Sequence, residues 1–278
     1  MPNSIRLRSA TIALLIGFPA ASCAIAQPQL TAPQPAGPTS YADVARFAAD
    51  APTIVELVVR KAEPVGPVLP AGRVRAAIEA DVAAVRFSAS PLARRVRLLA
   101  DVPADARGRL PNLKRQRFFA FATSAARADV LQLVAPDALL PATPGNDATL
   151  AAILRERGAG PIPPVVSGIT QAFHTAGTVA GESETQLFLR TADGAPVSLG
   201  VVRRPGAAPA WSVAFGEVID EAARAPAPRT LAWYRLACGL PLRVPAAAMA
   251  DLSPAERLAV EADFAVVRAG LGACDATR

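Results

Sequence analysis

Thr185-Gln186-Leu187-Phe188-Leu189-Arg190-Thr191, a turn at Asp193-Gly194, the run Pro196 to Arg203, a second turn at Pro205-Gly206 and the run Trp211 to Ile219 decide the fold. Leu187 and Leu189, then Val197, Leu199 and Val201, then Trp211, Val213 and Phe215 recur at every second position. Successive side chains of a strand point to opposite faces, so each set lies on one face and the three strands form an antiparallel meander. The Asp-Gly and Pro-Gly pairs supply its tight turns.

Working outward toward the N-terminus, five more segments read as strands: Thr53 to Lys61, Val74 to Phe87, Arg95 to Val102, Arg117 to Thr123 and Val130 to Val134. Each is short, rich in β-branched or aromatic residues and bounded by Pro, Gly or Asp. Five strands in so short a span predict a small antiparallel barrel. Ser40 is placed to cap a helix running through Asp50, with Val44, Phe47 and Ala48 on one face and Asp43 in the first turn. Asn146 or Asp147 is expected to start a second helix over Ala148 to Arg157, ended by Gly158, and Gly160-Pro161-Ile162-Pro163-Pro164 follows as a linker.

Toward the C-terminus, Ala225-Pro226-Ala227-Pro228 separates the meander from an ending built on Leu231 to Cys238 and a final helix. Ser253-Pro254-Ala255-Glu256 gives that helix an N-cap, a proline in its first turn and a capping-box glutamate, while Val260, Phe264, Val267 and Leu271 form one apolar stripe. The fold class is therefore α+β.

Residues 1–26 read as an export signal: Arg6 and Arg8 precede an apolar run from Ala10 to Phe18, and Ala24-Ile25-Ala26 is a small-x-small site with cleavage after Ala26. The run is too short to span a bilayer, and no later stretch reaches that length without charges, so no transmembrane span is expected. Ala20-Ala21-Ser22-Cys23 offers an alternative lipoprotein site at Cys23. Residues 27–40, rich in Pro and Gln, read as a disordered tether. The expected location is the periplasm or the exterior. Cleavage leaves Cys238 and Cys274, an even pair in an oxidising compartment, which predicts a disulfide.

Composition narrows the chemistry. Hydrophobic residues make up 52% of the 278 and charged residues 19%, with a mean hydropathy of +0.30, so the chain has a core to bury and is not disordered. It holds one histidine, His174, and three cysteines, too little for a zinc site or a histidine relay; no metal and no cofactor are expected. Loss of Arg6 and Arg8 with the leader lowers the formal charge from +6 to +4, which is not that of a dedicated nucleic-acid binder.

Two resemblances bear on this outline. Arg117-Phe118-Phe119-Ala120-Phe121-Ala122, as the fourth strand after a first, a long second and a third, is similar to the OB-type barrel of the netrin and tissue-inhibitor domains, over roughly residues 52–136. It implies an OB-like fold and no function, since the N-terminal cysteine those inhibitors use is missing. On this outline an OB-like β-barrel domain with flanking helices spans residues 41–158, and a meander plus C-terminal helix subdomain spans 159–278. The segments Val102 to Arg109, Gln132 to Asp137, Ser183 to Leu189 and Trp233 to Cys238 resemble a group of uncharacterised exported alphaproteobacterial proteins, which implies the same localisation and brings no activity.

Three candidate sites follow from residue types and spacing. Between Arg94 and Arg117 lie Arg94, Arg95, Arg97, Arg107, Arg109, Lys114, Arg115 and Arg117 against only Asp101 and Asp105, a net +6 in 24 residues. If the third and fourth strands pair, these cations gather along one edge and suit phosphate or carboxylate. The bland alternative is a strand alternation in which Arg95 and Arg97 face solvent while Val96 and Leu98 face the core. His174 with Ser183 and Glu182 or Glu184 suggests a hydrolase triad, set against a hydrogen-bonded structural histidine. Glu182 and Glu184 with Asp193 or Asp220 could hold calcium, but no Asp-x-Asp-x-Asp-Gly run is present. The outcome is a non-catalytic binding or interaction module with a basic surface for an anionic envelope ligand or a periplasmic protein partner, with the hydrolase as the alternative.

Overall fold

The computed structural model of the chain describes residues 39–123, 127–216 and 223–277, all within one compact unit, Pro33–Arg278. The leader, Cys23, most of the tether, Asp220 and the expected end of the meander beyond Gly216 lie outside the described residues.

The chain opens with helix α1 (Tyr41–Ala48), where the Ser40 hydroxyl accepts the Asp43 N–H and the Asp43 carboxylate accepts the Ser40 N–H, a complete capping box. Strands β1 (Thr53–Pro64), β2 (Arg73–Ser88) and β3 (Arg95–Pro103) then form an antiparallel meander. Strand β4 (Arg117–Ala122) pairs with the other side of β1. The two-residue β5 (Val130–Leu131) runs parallel to β3, and β6 (Leu139–Pro141) pairs with β4.

The first sheet has six strands in the order β5-β3-β2-β1-β4-β6, one more than the five expected from sequence, and its edge strands β5 and β6 do not pair with each other. The extra strand is β6, three residues long and too short to carry an alternating pattern of its own. Beyond β5 the chain also reaches β4: the Thr123 N–H donates to the Gln132 carbonyl at 2.8 Å and the Val134 N–H to the Phe121 carbonyl at 3.0 Å. Three register shifts interrupt the β1–β2 pairing, and such bulges bend and twist a sheet.

Burial explains the two kinds of strand in this sheet. On β2 and β3, Val74, Ala76, Ile78 and Ala80 and then Val96, Leu98, Ala100 and Val102 face inward and alternate with outward residues that are mostly charged, Ala77 and Leu99 apart. On β1 and β4 both faces are covered: Val55, Leu57, Phe118 and Ala120 pack inside the sheet, while Ile54, Phe119 and Phe121 pack against helices. That is why β1 and β4 read as nearly unbroken apolar runs.

Helix α2 (Pro144–Ala159) starts earlier than Asn146 or Asp147 and runs past Gly158. Thr143 is the cap, its hydroxyl accepting the Asn146 N–H at 3.2 Å, and Pro144 occupies the first turn. Asn146 is instead buried, with its amide donating to the Pro141 carbonyl at 2.8 Å.

The second sheet has four strands in the order β10-β9-β8-β7, formed by β7 (Val166–Ala176), β8 (Ser183–Thr191), β9 (Val197–Arg203) and β10 (Ala210–Phe215). The last three are the expected meander. Its inner face carries Leu187, Leu199 and Val201 onto α3 (Leu231–Gly239) and α4 (Pro254–Leu271). The expected α4 stripe of Val260, Phe264, Val267 and Leu271 is buried throughout. One core cluster contains Ile54 and Phe119 from the first sheet, α1 and α2 residues, Leu187 and Leu199 from the second sheet and Phe264, so it runs through residues on both sides of Gly160–Pro164. Cys238 at the end of α3 and Cys274 beyond α4 form the disulfide. Among the described residues no helix is long and apolar enough to cross a membrane.

Candidate functional site

The basic run divides according to what the fold sets beside it. Arg95 lies opposite Asp81 and Arg97 opposite Glu79 in the β2–β3 register. Arg95 sits 3.2 Å from Asp81 and 3.5 Å from Glu79, while Arg97 reaches Asp129 at 2.7 Å. Hydrogen bonds from Arg127 and then Arg97 hold the Asp129 carboxyl down at about 2. Arg117 is taken up by Glu56, which is buried and also bonds Arg86 at 3.2 Å. These three arginines serve the sheet, as in the bland alternation weighed from sequence.

Arg109 and Lys114 have a different setting. The loop between β3 and β4 folds back over the β1–β2 hairpin and leaves a cleft of about 710 Å³. Arg60 and Lys61 from β1 join Arg109 and Lys114 in its lining, and no aspartate or glutamate contributes. Its apolar wall includes Val68, Val74, Leu110 and Leu113. Leu113 belongs to the inner core of the first sheet, Leu110 packs against that core and Val74 is buried, whereas Val68 is 56% exposed.

Local chemistry builds this loop. The Asp105 carboxylate accepts the backbone N–H groups of Arg109 at 2.8 Å and Arg107 at 2.9 Å, bonds that outweigh desolvation and hold its pKa below the ordinary range. The Asn112 side chain accepts the Lys114 N–H at 3.1 Å, and Arg115 has φ of 68°, the left-handed region rarely adopted by a residue with a β-carbon. That turn lets the Arg115 N–H reach the Val59 carbonyl at 2.8 Å and fixes Lys114 at the mouth of the cleft. Arg109 pairs with Asp105 at 3.7 Å, Arg60 with Asp81 at 2.9 Å and Lys61 with Glu63 at 2.9 Å. Arg94, Arg107, Lys114 and Arg115 have no ion-pair partner among the described residues.

Arg60 and Lys61 were not singled out from sequence. Adjacent residues of a regular strand face opposite ways, but the register shift between Val59 and Lys61 places a bulge there, so both cations join one lining. Two consecutive cations at the end of an apolar run were the available signal.

A second groove of about 880 Å³ crosses the outer face of β2 and β3, with Leu99 at 55% exposure. Its lining balances three cations, Lys61, Arg75 and Arg97, against three carboxylates, Glu63, Glu79 and Asp101, with Lys61 paired to Glu63 and Arg75 to Asp101 at 2.7 Å.

His174 lies near the end of β7, ahead of the turn that leads into β8, and directly opposite Thr185. Its Nδ1 is 2.8 Å from the Thr185 hydroxyl, which donates to the fully buried Asp263 of α4 at 2.5 Å. A hydroxyl has one proton, so the threonine oxygen accepts from Nδ1–H, and this fixes the tautomer. Arg203 completes the network at 2.5 Å from Asp263. Ser183 pairs with Ala176 and Glu184 with Thr175, while Glu182 closes the turn by donating its N–H to the Val179 carbonyl at 3.0 Å. No hydrogen bond joins His174 to Ser183, Glu182 or Glu184 among the described residues. Thr185, Arg203 and Asp263 were missed because Asp263 lies far along the chain, on the inner face of a helix. Among the described residues no group of three or more His, Cys, Asp or Glu is placed to hold a metal ion.

No family model matches the chain, and no curated protein is significantly similar to it. Two solved structures align weakly. One concerns the molecular basis for abrogation of activation of pro-inflammatory cytokines, with 8% identity, 58% of this chain and 88% of that chain covered, and a TM-score of 0.20. The other is p202 HIN1 in complex with a 12-mer dsDNA, with 9% identity, the same coverage and a TM-score of 0.19.

Proposed function

We propose that the chain is an exported binding module, without catalysis of its own, that holds an anionic ligand in the cleft between the β1–β2 hairpin and the Gly108–Lys114 loop. The observation that carries this is a lining with four cations and no carboxylate, including Lys114 with no ion-pair partner among the described residues. Lysine supplies a compact charge and arginine a planar fork, a combination suited to phosphate. The ion pairs made by Arg60 and Lys61 are solvent-exposed, so they contribute little to stability and exchange readily for a ligand.

Export rests on the reading of residues 1–26 and accords with a disulfide, a bond kept in oxidising compartments; anchorage at Cys23 is the minor alternative. The resemblance to exported alphaproteobacterial proteins points the same way. The framework is read as an OB-like barrel in which residues 130–134 bridge its two sides. Support comes from the parallel pairing of β5 with β3 and from the bonds of Gln132 and Val134 to β4.

The test is thermal unfolding of the mature protein with increasing inorganic pyrophosphate at low and physiological ionic strength. Binding to the folded state raises the melting temperature, and salt weakens the effect. The expected result is a salt-sensitive rise that disappears when Arg109 and Lys114 are both replaced by alanine. An equal rise in wild type and double variant would place the anion elsewhere and overturn the assignment.

A further inference from the structure

We infer that the cleft takes a phosphate-bearing amphiphile, the phosphate held by Lys114 and the neighbouring cations and the aliphatic chain laid along the apolar wall. This rests on the anion-site reading above and goes further by naming the ligand class.

The cleft is divided by chemistry. Arg60, Lys61, Arg109 and Lys114 bring its charge, and all four are exposed. Much of the remaining lining is aliphatic or proline. A site for free phosphate has no use for Val68 held 56% exposed against it, since burying an apolar side chain beside an inorganic ion gains nothing. A purely apolar ligand, in turn, gives nothing to Lys114, which has no ion-pair partner among the described residues. An ordinary soluble anion and an uncharged chain each satisfy half of the lining, and an anionic amphiphile satisfies both. The volume of about 710 Å³ lies within the range of small-molecule sites.

The neighbouring groove on β2 and β3 sharpens the assignment. It is also apolar and larger, yet its lining sets Lys61, Arg75 and Arg97 against Glu63, Glu79 and Asp101 and so carries no net charge, whereas the charged side chains lining the basic cleft are all cations. Arg107 and Arg115, both exposed and without ion-pair partners among the described residues, belong to the loop that bounds the basic cleft and add to the positive field at its mouth.

The experiment measures calorimetric affinity of the mature protein for alkyl phosphates of increasing chain length, each below its aggregation concentration, with inorganic phosphate as the chainless member. Wild type, Lys114→Ala and Val68→Ser are compared; both changes are at exposed positions. The expected result is a rise of about fourfold for each methylene the wall buries. Val68→Ser flattens that dependence without changing phosphate binding, and Lys114→Ala weakens every member by a similar factor. Salt-sensitive binding of equal strength along the series overturns the amphiphile and leaves the anion site standing. A chain-length dependence unaffected by Val68→Ser also overturns it, because the chain then lies elsewhere. If no member binds, or Lys114→Ala changes none, the anion site falls as well.

Discussion

Replacing Cys238 and Cys274 together by serine is expected to destabilise the protein by about 4 kcal/mol, through the unfolded chain. The bond closes a loop of 36 residues in sequence, and loop-closure entropy for that length gives this figure. The native contacts around it do not depend on the bond. Trp233 Nε1–H donates to the Leu271 carbonyl at 2.8 Å, and Asp275 accepts the Ala42 N–H at 3.0 Å. Thr277 bonds Asp43 through its N–H at 3.0 Å and its hydroxyl at 2.5 Å. Cys238 is exposed and Cys274 half-buried, so serine removes little core. For a chain of this size each kcal/mol moves the melting temperature by about 2–4 °C, which gives a fall of about 8–16 °C. Circular dichroism melts of oxidised wild type and double variant measure the fall, and hydrogen exchange at the Thr277 amide tests whether the tail stays docked in the native state. A fall below about 3 °C in a single reversible transition, with Thr277 still protected, refutes the loop-closure argument.

Other perturbations address the rest of the fold. Asp263→Asn leaves the Arg203 guanidinium without its buried partner and disturbs Thr185 and His174; a loss of about 3 kcal/mol is expected, the low end for a broken buried pair because Arg203 is partly exposed. Urea unfolding measures it. Desolvation raises the Asp43 pKa, but the hydrogen bonds from Thr277 and Ser40 outweigh it and leave the carboxyl below its usual range. A carboxyl with a depressed folded pKa contributes stability that is fully present above the unfolded value of about 3.9, and loses it as pH falls through the folded value. Acidification below about pH 4 should therefore release the C-terminal residues from α1, seen as faster exchange at Thr277. Gly239→Ala would set a methyl 2.5 Å from the Val166 carbonyl oxygen, a backbone atom of β7 that cannot rotate away, and should cost about 1–3 kcal/mol in the same assay.

Elements with local signals were legible in the sequence. Ser40 with Asp43, and Ser253 with Pro254 and Glu256, mark helix starts that depend only on neighbours three residues away. The β8–β10 meander declared itself because one face is buried and the other is not. Strand β7 lacked such a pattern: its pairing to β8 shifts register between Val166 and Gly168 and again between Ile169 and Gln171, so its apolar residues fall out of step. Helix α3 is covered by α1, α4 and β7, and a helix buried on several sides carries no amphipathic stripe to read. Strands β5 and β6 are too short for any period.

The site was half legible for a related reason. A run of cations along the chain shows that positive charge is present, but not which carboxylates the fold will set against it. Glu79 and Asp81 reach Arg95 across the β2–β3 pairing, Glu56 reaches Arg117 from β1, and Asp129, the partner of Arg97, arrives after β4. None of these pairings is local, so the net charge of the run does not show which of its cations the fold leaves unpaired. What survives is the part of the run whose neighbours are cations too: Arg109 and Lys114, brought to Arg60 and Lys61 by the returning loop and the bulge. Placing like charges together opposes folding unless they stay solvated, and all four side chains are exposed. An anion bound at the proposed site would relieve their repulsion, so ligand binding there would register as a gain in stability.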